Sequence, residues 1–302
     1  MTSKTYEERN VKKIFISAFF VILLFVIFLF LCTPIINYSE DFFVLYTLAG
    51  GFGSAPTNIL HYYYGWNPLL LWPVAKLFGL VPSFNWYTLF LLILQSISCI
   101  YLLYLFLLMF RKTVAIVIFM VFFLFFESQF LQSLNYSNTS FILSLSGSAG
   151  FIFYFANASQ TPLGKKKLIA PFLLALVGGL LRVHTLGLTV LLSIETGLVL
   201  MPFYNFKKFI FSWFVLASTL IVFIIAHNYY YQAKIPGSKK EEQFRQSLFY
   251  IANHPQIPGN VDTGIALIKN SFIRSGFLYD TSFVTLKDVE AYSSNKNHTL
   301  LN

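Results

Sequence analysis

Apolar residues gather along this chain in runs long enough to cross a bilayer, separated by short clusters of polar and basic residues. A helix spans a hydrocarbon core of roughly 30 Å with about twenty residues at about 1.5 Å each. By that measure the sequence predicts seven spans, at residues 14–36, 84–110, 113–131, 139–157, 168–181, 186–203 and 209–228. The first run is too long for a signal peptide and has no small-residue cleavage site, so an uncleaved first span is predicted. One further stretch, residues 66–82, is apolar but short, carries Lys76, and is broken by Pro68 and Pro73. Whether it crosses is decided below by charge.

The composition agrees with the runs: of 302 residues, 57% are hydrophobic and 11% are charged. A soluble domain carries about 25% charged residues, which excludes a soluble enzyme. The net charge of +9 would suggest nucleic acid in a cytosolic protein. Here basic residues mark cytoplasmic loops instead, and no nucleic-acid partner is expected. If residues 66–82 lie on the outer surface or re-enter, then Arg111, Lys112, Lys165 to Lys167, Lys207 and Lys208 fall on the same side as Lys4, Arg9, Lys12 and Lys13. If residues 66–82 cross, those loops move outside, against the positive-inside rule. The expectation is an all-α, multi-pass integral protein of the cell membrane with about seven transmembrane helices and interfacial helices on its outer face. Residues 1–13 form a cytoplasmic N-terminus, 14–228 the membrane module with an outer loop at 37–83, and 229–302 an extracytoplasmic helical tail.

That tail holds eight Lys or Arg and six Asp or Glu. Phe244, Leu248 and Ile251 recur at helical spacing, and Thr285 with Asp288 forms a capping pattern for a last short helix. Cys32 and Cys99 lie within or at the end of apolar runs, so they behave as small hydrophobes rather than a disulfide or zinc framework.

Candidate chemistry lies where charge interrupts the apolar pattern, because a charge near lipid costs a few kcal/mol even on the lenient insertion scale. Between residues 14 and 233 the only carboxylates are Glu40, Asp41, Glu127 and Glu195. Glu40 and Asp41 follow the first span and read either as an acid, base or metal pair or as a solvated boundary and helix cap. Glu127 is predicted to sit below the outer surface, followed by an amide-rich loop with Gln129, Gln132, Asn135 and Asn138. Arg182, with His184 beside it, marks an outer turn; its fork suits a phosphate, with reach to lipid phosphate as the other reading. Glu195 falls mid-span and reads as a packing residue needing a partner or a proton. The loop from Leu48 combines glycines, prolines, aromatics and His61, suited to an interfacial belt or to a sugar face.

The layout, together with SEDFFVLYTLAGG, FNWYTLFLLIL and LNYSNTS, resembles the GT-C superfamily of integral-membrane glycosyltransferases over residues 12–228. The resemblance implies an inverting transfer of sugar from a polyprenyl-phosphate donor in the membrane lipid to an extracytoplasmic acceptor such as a cell-envelope glycan, lipid or protein. It implies Asp41, or Glu40, as the base, with Arg182 at the lipid phosphate. His184, His61, Asn135 and Gln132 would stand in the substrate site. Glu127 and Asp41 would hold a divalent cation, Mg or Mn. Two other functions fit the same sequence: a transporter or flippase of lipid-linked glycans, and a non-catalytic membrane assembly subunit.

Overall fold

The computed structural model describes residues 3–35, 41, 44–45, 48–49, 68–156, 165–200 and 203–234. The patterns of the tail, Glu40, His61 and most of the outer loop lie outside these residues. The chain divides into two units, one of residues 1–60 and 64–227, the other of 61–63 and 228–302. Of the second, only the helical stretch 228–234 is described; the account below concerns the first.

Among the described residues the architecture is helical: α1 (Ser3–Leu31), α2 (Pro68–Leu80), α3 (Trp86–Met109), α4 (Lys112–Phe122), a π-turn (Phe123–Glu127), α5 (Ser128–Gln132), α6 (Tyr136–Ala156), α7 (Ile169–Leu181), α8 (Val183–Leu200) and α9 (Phe203–Lys234). A 3-10 turn at Lys165–Leu168 leads into α7. The described parts of the predicted spans are largely helical, the stretch 113–131 running through α4, the π-turn and α5. Among the described residues four stretches are long and apolar enough to cross a membrane: Asn10–Leu31, Trp86–Met109, Lys112–Gln132 and Phe206–Ala226. The last three are 24, 21 and 21 residues long. Ser and Thr punctuate the 21-residue α6, while α7 has 13 residues and α8 has 18.

Burial follows the same division. Phe15, Phe19, Ile22, Val26 and Phe30 of α1 are exposed, as are Phe211, Phe214, Val222 and Ile225 of α9. Such faces need lipid, since water does not tolerate contiguous apolar surface of that extent. The more polar α6 is sheltered: it packs against α3, α7 and α8, while α1 packs on α3. The contact between α6 and α7 is close because small residues face each other. A Cβ on Gly147 would stand 2.7 Å from the backbone oxygen of Pro171, and one on Gly178 would run into the Ser144 hydroxyl. Small residues that let helix backbones approach are the usual means of helix association in lipid.

Residues 66–82 contain α2, a 13-residue helix with Pro73 inside it. At about 20 Å it is shorter than a hydrocarbon core. Val74, Ala75 and Phe78 are buried while Trp72, Leu77 and Leu80 are exposed, and the Lys76 ammonium stands 3.7 Å from the centre of the Trp72 ring. A helix with one packed face and an exposed aromatic–cation pair suits a membrane interface.

Candidate functional site

The helix α6 begins where it does because two side chains meet its first N–H groups. The Asn135 side-chain oxygen accepts the Asn138 N–H at 2.7 Å, and its amide donates to the Ser133 carbonyl at 3.0 Å. The second side chain comes from far away in sequence: Asp41 Oδ1 accepts the Tyr136 N–H at 2.9 Å. The unpaired N–H groups of a first helical turn carry partial positive charge, so a carboxylate there is favourably placed.

Asp41 is brought there by its own helical surroundings. It shares a helical face with Val44 and Leu48, all three buried, and the latter two pack with Phe78, Tyr87, Leu91 and Tyr136. The Tyr87 hydroxyl also donates to Asp41 Oδ1. At 1% exposure the carboxylate is enclosed, and a buried acid needs such donors. Tyr87 is set by the start of α3, where the Asn85 side chain accepts the Thr88 N–H at 3.0 Å as an N-cap.

Arg182 reaches the same turn from the other side. It is the C-cap of α7, in an extended conformation, with its N–H on the Gly178 carbonyl at 2.9 Å. The turn is braced by Ser140, which donates to that same Gly178 carbonyl at 2.7 Å, and by Thr185, which donates to the Arg182 carbonyl at 2.8 Å. The guanidinium donates to the Ser137 hydroxyl and lies 5.5 Å from the centre of the Tyr136 ring. Asp41 and Arg182, distant in sequence, thus meet adjacent residues of one helical turn. Arg182 is half-buried, and a guanidinium has five donors, so its fork has capacity for an anion beyond the bond to Ser137.

The remaining candidates are placed elsewhere or differently. Asn135 is buried and occupied as a cap. Gln132 and His184 are exposed; the Gln132 carbonyl accepts the Ile35 N–H at 2.8 Å, which with a parallel bridge between Ile35 and Ser133 ties the exit of α1 to the end of α5. Glu195 is exposed on α8, not packed in the interior as its mid-span position suggested. Glu40 and His61 lie outside the described residues.

Glu127 is not brought to Asp41. It is fully buried at the end of the π-turn, beside the thiol of Cys99. Its neighbour Cys99 and the partner of Asp41, Tyr87, stand more than three turns, about 18 Å, apart along α3. Among the described residues no group of three His, Cys, Asp or Glu side chains gathers as for a metal ion.

Sequence reasoning missed Tyr87, Tyr136 and Ser137. The first had a signal, since the Asn-x-x-Thr cap at Asn85 fixes the start of α3 and hence the facing of Tyr87. The other two sit in the LNYSNTS segment, whose amides carry the more evident chemistry. No family model, curated protein or solved structure matches the chain.

Proposed function

We propose that this chain is a membrane glycosyltransferase of the GT-C type, working on a lipid-phosphate sugar at the outer face. The supporting observation is the convergence of Asp41 and Arg182 on the first turn of α6. In this reading α1, α3, α4 through α5, α6, α7, α8 and α9 all cross, with α2 at the outer interface and the basic loops in the cytoplasm. Asp41 takes the proton from an acceptor hydroxyl as its oxygen attacks the anomeric carbon; the bond from that carbon to the lipid phosphate breaks, with inversion. Arg182 stabilises the charge gathering on the departing phosphate, an interaction stronger in the transition state than before it. Tyr87 and the Tyr136 N–H keep the carboxylate in place.

One observation favours a second reading. Asp41 is enclosed and its Oδ1 already accepts two hydrogen bonds, which is the arrangement of a structural pin between the outer loop and α6. Asp41→Asn separates the two, because the amide oxygen keeps an acceptor for both donors. With membranes containing the protein and a labelled polyprenyl-phosphate sugar, the enzyme reading expects transfer to fall by about 100-fold or more while the variant stays folded. Equal product from wild type and Asp41→Asn would leave the pin as the role of this residue.

A further inference from the structure

Glu127 is used neither by the α6 turn nor by the transfer reaction. It has 0% exposure, and its carboxylate oxygens meet no nitrogen or oxygen donor among the described residues; the weak Cys99 thiol stands beside them. The residues one turn to either side, Phe123 and Leu131, belong to an apolar cluster with Val21, Phe25, Leu102 and Leu103. A bare carboxylate there is costly, and it persists only if a positive charge accompanies it. The local backbone is also unusual. Glu127 closes a five-residue π-turn inside an otherwise α-helical run, a feature that recurs at functional positions.

A second orphaned oxygen is on α3. Gln95 is fully buried one turn before Cys99 on the inward face of α3, and Cys99 neighbours Glu127. The Gln95 amide nitrogen donates to the Thr139 hydroxyl at 3.0 Å, while its Oε1 has no hydrogen-bond partner among the described residues. That bond orients the amide and leaves the carbonyl end for another ligand. We propose that Glu127 is the carboxylate of an intramembrane binding site for one monovalent cation, a proton or Na⁺, with the Gln95 carbonyl as a second oxygen donor. Charge fixes the valence: one carboxylate neutralises a single positive charge, whereas a divalent ion would leave net charge in an apolar cluster. Oxygen donors suit hard cations, whereas the soft thiol of Cys99 beside Glu127 does not.

Carbodiimide labelling of the full chain in membranes tests this without reference to any transfer activity. A carboxyl group adds across a C=N bond of the lipid-soluble dicyclohexylcarbodiimide, and an internal acyl shift leaves a stable N-acylurea with no group lost. Mass spectrometry of the digested wild type locates the adduct, so no variant has to fold. In sodium-free choline buffer near neutral pH, the adduct is expected on Glu127. If Na⁺ is the resident cation, adding it at about ten times its dissociation constant lowers the labelling rate about tenfold, and choline at the same concentration does not. If the proton is resident, Na⁺ has no effect and the adduct forms as before. Failure to find the adduct on Glu127 in the sodium-free buffer would overturn the site in both forms, and would leave the role of Asp41 untouched.

Discussion

The two buried carboxylates are held in opposite ways. Asp41 receives a phenol and a backbone N–H, both on Oδ1, whereas the carboxylate oxygens of Glu127 meet no nitrogen or oxygen donor among the described residues, with only the weak Cys99 thiol beside them. Deleting the first acid should therefore be felt as orphaned donors. Asp41→Ala removes the acceptor of both the Tyr87 hydroxyl and the Tyr136 N–H, and each buried donor left unsatisfied costs about 1–3 kcal/mol. Asp41→Ala is expected to lower the unfolding temperature in detergent well below wild type, with Asp41→Asn between the two. A melting temperature unchanged by the alanine substitution would show that these hydrogen bonds do not hold the outer loop to α6. The sequence displayed both acids as rarities in an apolar chain, but rarity alone did not signal burial, since Glu195, as rare, is exposed. It did not reveal their partners, because Tyr87 and Tyr136 are unremarkable in a chain with 18 tyrosines.

At the scale of elements, the helices that face lipid were the legible ones. The stretches 10–31, 86–109, 112–132 and 206–226 repeat the sequence-predicted spans to within a few residues, because a helix surrounded by lipid must be apolar all round. The inner helices carry a weaker signal. In α6 the pattern SLSGSAG contains a packing rule rather than a hydropathy rule: its small residues admit α7 to close approach. Gly178→Ala places a methyl group 3.0 Å from the Ser140 backbone oxygen, as well as against the Ser144 hydroxyl. The side chain can rotate away but the backbone cannot, so a destabilisation of about 1–3 kcal/mol is expected from overpacking, read as an earlier thermal transition in detergent. Gly187→Ala is the control, since nothing stands within 4 Å of a Cβ there. Equal transitions for the two variants would contradict the close α6–α7 contact. The π-turn had no sequence signal at all; FLFFE reads as ordinary helix.

For the molecule as a whole, topology rests on counting charges. With α2 kept at the outer interface, the loops containing Arg111 and Lys112, Lys165 to Lys167, and Lys207 and Lys208 share the cytoplasm with the N-terminus. Single cysteines introduced at Ser83 and Gly164, in a background with Cys32 and Cys99 replaced by alanine, should report opposite sides. An impermeant maleimide added to intact cells is expected to label Ser83→Cys and to spare Gly164→Cys until the membrane is opened. Labelling of Gly164→Cys from outside would invert the orientation and move the α6 turn to the cytoplasmic face, where a donor displayed on the other leaflet is out of reach. Length does not tell α2 from α7, since each has 13 residues; in the proposed topology the count of basic loops alone keeps α2 at the outer interface.

The tether between the exit of α1 and the end of α5 is made of main-chain atoms, the Ile35 N–H and the Gln132 carbonyl. Both side chains at this junction, Ile35 and Gln132, face outward. Six residues later the chain delivers Asp41, so the reach of that acid is metered from an anchor indifferent to residue type, proline apart. Homologous chains would be free to drift at both positions while preserving the fastening, and a comparison of their letters would pass over the peg on which the loop hangs.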